Sequence, residues 1–481
     1  MKKNIIVSAL LLLMPFFVEA QTLKGAYFMD SSVSRTKMNP AFAPRANYFQ
    51  FTPIGNLSLG VTSNLELQDF LYPGANGKLN TFLHPDVSVS DFTSAIANHP
   101  NIDIDTDLPL LNFGFYTKRK SFWTVDLGLR AYVDTDIPHD LFTFLKKGTG
   151  LKGTNSFNVG NLNLYAGAAL QASIGYSMDM SWLLKGLRAG IRARYIAPLA
   201  YAGINLENVR LTTSEDRWEL VTEAYANAAL QGLRAQVNLD TQETDLGFDL
   251  NQMLANKVLA GMGYSFDFGA EYELSIGSWF DGIALSFAFT DLGQIFYDRN
   301  AVHSFSSNGR FEWAGLENIS TDTDFEGLAD NLIEDAKESL LNLKEEQATS
   351  LWTSTMPRFY LGLEVPFLKK TMSLGLLYSA RVSHSYTRHE LTASYNLKPC
   401  KWFGLGLNYS FLNTTKTAGF ILELTPRIGP SFTIGSDYIF WEFAPAEMVP
   451  VIGMMPTAYR LNLNFGIAFN LGSRYVREQK R

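Results

Sequence analysis

The sequence of 481 residues predicts an all-β fold: a transmembrane, antiparallel, up-and-down β-barrel of about fourteen strands (roughly twelve to sixteen), with helical insertions in its long outer loops. Three observations predict it. The first is a strict two-residue period over Tyr459–Leu471. There Tyr459, Leu461, Leu463, Phe465, Ile467, Phe469 and Leu471 are apolar, and Arg460, Asn462, Asn464, Gly466, Ala468 and Asn470 are polar or small. Such a period sets one whole face of an extended strand in an apolar medium, and the stretch exceeds the roughly 9–11 residues that a tilted strand needs to cross a bilayer. The second is recurrence, because alternating segments of this kind run along most of the chain. The third is the parity of the links between them, short and long in turn, as a barrel with short periplasmic turns and long outer loops requires.

In chain order the leader comes first. Lys2 and Lys3 form a charged start, Ile5–Val18 an apolar core, and Val18-Glu19-Ala20 a small-residue cleavage site, so residues 1–20 read as a signal peptide. Residues 21–46 lack sustained periodicity and form an irregular N-terminal periplasmic segment ahead of the first strand. Alternation then recurs near 48–62, 108–117, 121–133, 161–177, 186–198, 258–268, 282–291, 356–366, 371–382, 387–398, 402–412, 418–427, 430–441 and 457–471, all within a barrel domain of 47–471. Residues 472–481 form a basic C-terminal tail. The short links fall at Lys118–Lys120, Met178–Lys185, Gly269–Asp281, Phe367–Lys370, Pro399–Lys401 and Ile428–Gly429, and the long ones at 63–107, 134–160, 199–257, 292–355 and 442–456.

The long loops carry elements of their own. Asp324–Ser350 spaces Phe325, Leu328, Leu332, Ala336, Leu340 and Leu343 by three or four, which predicts an amphipathic helix with an acidic outer face. Tyr201–Thr213 and Trp218–Tyr225 read as a hairpin, and Ser90–Asn98 as a short helix capped by Ser90.

Composition narrows the function classes. A net charge of −7 argues against nucleic acid as a partner. The single cysteine, Cys400, excludes an intrachain disulfide and a cysteine metal cluster. Neither a nucleophile elbow, a zinc-helix motif, a phosphate loop nor a dinucleotide fingerprint occurs, so no catalytic residue, metal or cofactor is expected and the chain does not read as an enzyme. Asp103, Asp105 and Asp107 read as a solvated run in the first outer loop. If the apolar positions face lipid, Arg188, Arg192 and Arg194 form a lumen-facing basic ladder on one strand. A ladder of this kind guides an anionic group or, the preferred reading, joins a lattice of ion pairs bracing the wall.

Two resemblances follow from particular residues. Asn464-Phe465-Gly466-Ile467-Ala468-Phe469-Asn470-Leu471 resembles the C-terminal β-signal of outer-membrane proteins. That resemblance implies outer-membrane lipid as the surroundings and the barrel-assembly machinery as a partner, reading Asn464, Gly466, Phe469 and Leu471. Asn39-Pro40-Ala41, with Phe289-Thr290-Asp291-Leu292-Gly293 downstream, is similar to the FadL-like outer-membrane proteins of Bacteroidota. Asn408-Tyr409-Ser410, Gly435-Ser436-Asp437-Tyr438 and the ending Phe465–Gly472 make the chain look like a family of such barrels of unknown function. The resemblance implies a porin-like passive channel with a hydrophobic small-molecule ligand, and a hatch over Leu23–Ala46 with Asn39 and Pro40 in its turn. The alternative is a non-transporting surface binding or assembly/secretion-partner protein that acts through its long outer loops.

Overall fold

The computed structural model describes residues 23–51, 57–66, 69–74, 79–117, 120–147, 155–158, 160–214, 217–237, 244–248, 258–274, 282–313, 344–346, 350–412, 416–439 and 458–472. Among these, fourteen antiparallel strands close into one barrel. β1 comprises Asn47–Phe51 and Leu57–Glu66. β2 is Ile102–Tyr116, β3 Phe122–Asp136, β4 Leu162–Asp179 and β5 Leu187–Thr213. β6 is Gly261–Leu274, β7 Ile283–Tyr297, β8 Arg358–Phe367, β9 Met372–Val382 and β10 Thr387–Cys400. β11 is Phe403–Leu412, β12 Lys416–Leu424, β13 Ile428–Ile439 and β14 Ala458–Gly472.

Each strand pairs with its neighbours in sequence. The seam is made by β14, which pairs with β13 (Phe432↔Ile467) on one side and with both parts of β1 (Phe49↔Phe469, Val61↔Leu461) on the other. Among the described residues, closure leaves no free sheet edge around the wall, the condition for putting β-structure into a bilayer.

The two-residue period dictates which face each side chain takes. Along β14, Leu463, Phe465 and Leu471 are exposed while Asn462, Asn464 and Asn470 are buried. The same inversion runs around the wall: Phe266, Phe287, Leu361, Leu374 and Leu407 point out, and Ser265, Ser286, Ser373 and Asn408 point in. A belt of large apolar side chains outside and hydroxyls and amides inside is the arrangement expected when lipid surrounds the wall.

The strand order and all fourteen predicted strands appear, with differences at their ends. β2 begins at Ile102, so Asp103, Asp105 and Asp107 sit on a barrel strand and not in the first outer loop; Asp103 and Asp105 are buried on the lumen side. Their spacing of two is the strand period itself. β5 runs on past Pro198, and Tyr201–Thr213 pairs with Trp218–Leu230, the expected hairpin. Val302–Trp313 adds to its far side and Asn155–Asn158 to the upper part of β5, so a sheet continues beyond the barrel.

The first-loop helix spans Val89–Ala95 and its cap is Ser88, not Ser90; the Ser88 hydroxyl accepts from the Asp91 amide at 3.0 Å. A second helix covers His139–Lys147. The signal peptide, the helix over Asp324–Ser350 apart from Lys344–Glu346 and 350, and the tail after Gly472 lie outside the described residues. Lys344–Glu346 is a short strand against Ser304–Ser306, so the helix does not extend through it.

Candidate functional site: the barrel lumen

The N-terminal segment, from Leu23 to Ala46, lies inside the barrel. Short turns at Lys24–Ala26 and Arg35–Met38 fold it into a compact pad. Leu23, Tyr27, Phe28, Met29, Met38 and Phe42 pack against Ala288, Tyr360, Leu377 and Ile421 of the wall in one buried cluster. Full burial of such side chains contributes roughly 1.5–3 kcal/mol each. The wall makes room with inward-facing glycines. A Cβ on Gly375 would fall 2.4 Å from the Phe28 ring, one on Gly404 2.5 Å from the end of Met29, and one on Gly190 2.2 Å from the Pro40 carbonyl oxygen.

Polar contacts fix the pad in register. Asn39 Nδ2 donates to the carbonyls of Ala270 and Phe287, each at 3.2 Å, while its Oδ1 accepts from the Ala41 amide at 2.9 Å. Pro40 follows in the same turn, against Gly269 and Gly190. Arg188 Nε donates to the Ala41 carbonyl at 3.0 Å, and Arg192 Nη2 to the Thr36 carbonyl at 2.8 Å. Thus two rungs of the basic ladder end on the N-terminal segment, next to the Asn39–Pro40 turn. The third, Arg194, pairs with Asp267 at 3.2 Å and with Asp291.

The leading end of the segment is tied to the opposite wall. Asp437 accepts the backbone amides of Lys24 and Gly25 at 2.6 and 2.9 Å, and the Lys24 ammonium pairs with Glu390. Burial alone would lower the Lys24 pKa, but Glu390, Tyr438 and Asp437 outweigh it and hold the ammonium above its ordinary value. Asp30 meets Arg45 at 2.8 Å and Arg35 and Lys398 at 3.5 Å each. Burial would push its carboxyl up, yet Lys398, Arg45 and Arg35 hold it well below the usual carboxylate range. Burial pushes the Tyr27 hydroxyl, which meets Ser286 Oγ at 3.0 Å, up to about 12.

Above the pad an ionic layer crosses the lumen. Asp105 Oδ2 lies 2.6 Å from Arg358, 3.1 Å from Arg381 and 3.3 Å from Arg130, and Arg388 pairs with Asp103. Asp105 is on β2 and Arg358 and Arg381 are on β8 and β9, so these bonds run from one side of the barrel to the other. Beyond the layer, Tyr132, Ile196, Ile295, Tyr297 and Met356 line a smaller apolar cavity of about 30 Å³. The cavity bordering Lys37, Asp105, Asp126 and Arg192 measures about 60 Å³. Each has room for only a few water molecules. At the outer rim a wider cavity of about 300 Å³ is lined by Asn64, Asn98, His99, Tyr386 and Arg388.

The four positions that the β-signal resemblance marks are all on β14. Asn464 is buried on the lumen face, Gly466 pairs with Thr433, Phe469 pairs with Phe49 and Pro430, and Leu471 is exposed on the outer face. His389 Nδ1 contacts the Tyr378 hydroxyl at 2.8 Å, and His384 stacks on Tyr165. Among the described residues no group of three metal-ligating side chains comes together.

The sequence does not single out Lys24, Asp30, Arg35 or Lys37, which hold the pad, and it marks Asp105 only as part of a solvated acidic run, whereas Asp105 centres the ionic layer. Irregular sequence carries no period, so the only pointer to the pad is the resemblance carried by Asn39-Pro40-Ala41, which implies a hatch over Leu23–Ala46.

A family model described as "Family of unknown function (DUF5723)" matches residues 40–437. No curated protein matches the chain. Among solved structures it is similar to the Ralstonia pickettii toluene transporter TbuX, with 7% identity, 94% of each chain covered and a TM-score of 0.36. A TodX monoaromatic hydrocarbon channel carrying the deltaS2 mutation shows 10% identity, covering 95% of this chain and 96% of that one, also at 0.36. A triple mutant of the Rhodopseudomonas blastica porin shows 9% identity, 72% and 100% coverage, and a TM-score of 0.19.

Proposed function

We propose, for a chain that belongs to the DUF5723 family of unknown function, that it is an outer-membrane barrel through which small hydrophobic molecules pass passively when its N-terminal segment leaves the lumen. One observation carries this reading: a pad of buried apolar side chains occupies the lumen, yet it joins the wall covalently only where Ala46 runs into β1. A wall does not need such an insert to close its hydrogen bonds, since β14 and β1 already do that. A removable insert with an apolar surface fits a gate for apolar cargo, and the wall's own Tyr360, Leu377 and Ile421 become available when it withdraws. In this reading Asn39 and Pro40 form the hatch turn, and Arg188 and Arg192 latch it. The residues Asn464, Gly466, Phe469 and Leu471 of β14 serve the assembly machinery.

The test is uptake into liposomes. Liposomes holding the full-length barrel should take up a labelled long-chain fatty acid or toluene faster than empty ones, and a variant lacking Leu23–Ala46 faster still. Uptake by both at the rate of empty liposomes would remove transport from consideration.

A second reading has its own observation. The sheet built on the upper part of β5, with Trp218–Leu230 and Val302–Trp313, projects beyond the wall and is not required for a channel. It suits a surface that binds a partner protein. Pull-downs with and without residues 302–346, a deletion that spares β7 and the Trp352–Ser354 strand paired with it, separate the two: an unchanged set of captured proteins would count against the partner reading.

A further inference from the structure

The geometry points to a binding site for a small oxyanion, a carboxylate or phosphate group, between the tip of the N-terminal segment and the ionic layer. A cavity of about 40 Å³ lies there, lined by Lys24, Arg358, Arg381 and Arg388 with a single carboxylate, Glu390, and by the hydroxyl residues Tyr360 and Ser379. The three arginines are not scattered. Arg358 stands directly opposite Arg381 on the neighbouring strand, and Arg381 directly opposite Arg388. Like charges in directly opposed positions repel, so the row needs negative charge in front of it.

The wall supplies that charge unevenly. Arg388 has Asp103 and Lys24 has Glu390. Arg358 and Arg381 share one oxygen of Asp105, and Arg130 draws on the same oxygen. Asp291 is the other carboxylate near Arg358, at 3.7 Å, and it already serves Arg130 and Arg194. Correspondingly, the Nε atoms of both Arg358 and Arg381 are buried without a hydrogen bond, Arg358 Nε having only Asp291 beyond bonding distance at 3.7 Å. A buried guanidinium donor left unpaired is costly, and the planar fork of arginine matches the paired oxygens of a carboxylate or phosphate. One oxyanion in the cavity accepts from both Nε donors, separates the like charges and sits beside the ammonium of Lys24. It therefore joins the N-terminal segment to β8, β9 and β10, and its departure would loosen that end of the pad.

The proposal concerns occupancy of this cavity and does not depend on what the barrel transports. The full-length barrel in detergent would be melted at fixed ionic strength in sodium chloride, sodium phosphate or sodium acetate. Binding to the folded state raises the midpoint, so phosphate or acetate should raise it by a few degrees over chloride, and whichever is stronger identifies the anion class. Arg381→Gln should abolish the difference, whereas Arg217→Gln, on the exposed outer sheet, should keep it. Equal midpoints in all three salts for the wild type, or the same difference in both variants, would overturn the site. Should Arg381→Gln fail to fold, wild-type crystals soaked in sodium selenate decide it. An anomalous peak within reach of both Nε atoms supports the site, and its absence refutes it.

Discussion

Asn39 shows how much one side chain decides in this barrel. Its amide spans two neighbouring strands through the carbonyls of Ala270 and Phe287 and closes its own turn on Ala41. Asn39→Ala should cost roughly 1–3 kcal/mol of local stability, read as faster hydrogen exchange of amides 36–42 with the barrel strands unchanged. Gly190→Ala should displace the same turn from the other side. Both its new Cβ and the Pro40 carbonyl it would meet at 2.2 Å are backbone-bound, and overpacking of this kind costs about 1–3 kcal/mol. Protease cleavage of the N-terminal segment in the intact barrel would report it.

The charged contacts give a pH window. Asp30 is held below its ordinary 3.8, so its contribution is present above that value and is lost as pH falls through the depressed one. Lys24 is held above its ordinary 10.5, so its contribution is complete below that value and is lost only as pH rises through the raised one. The protection that Asp30 lends the segment should then be lost only in strong acid, and Asp30→Asn should remove that acid-limb loss from the exchange profile; a variant that keeps it would contradict this assignment.

Strands were the most legible elements, because their physics is written as a two-residue period. Every barrel strand could be placed from apolar residues at alternate positions, and parity of the links gave their order. What failed at this scale has a physical cause. Asp103 and Asp105 were read as loop because acidic residues suggest solvent, yet Ile102 and Ile104 alternate with them and the barrel interior supplies guanidinium partners. The pad over Leu23–Ala46 has no period to read, since its burial comes from a surrounding wall and not from its own secondary structure. Arg188 and Arg192 were legible as lumen-facing; that they would end on carbonyls of the pad was not, because it needs the pad's position. The lipid-facing period makes a direct forecast. Phe287→Arg, on the outer face of β7, should destabilise the folded barrel by roughly 2–4 kcal/mol in lipid, measured by denaturant unfolding in liposomes. Ser286→Arg, one residue along, instead strikes Tyr27 and should dislodge the pad.

At the scale of the whole molecule, two layers close the lumen: an apolar pad on the side of the short links, and arginine–aspartate pairs that run from wall to wall above it. The barrel is complete without the pad, so the pad can be locked without altering the wall. Phe28→Cys with Gly375→Cys, in a Cys400→Ser background, tests this. A Cβ on Gly375 reaches to 2.4 Å from the Phe28 ring, which sets the two positions close enough for a disulfide once the ring is gone. Uptake of a labelled fatty acid by liposomes holding this variant is the measurement. If the N-terminal segment is the gate, oxidation should reduce uptake to that of empty liposomes and dithiothreitol should restore it; a cross-linked barrel that transports as fast as the reduced one would contradict the gate.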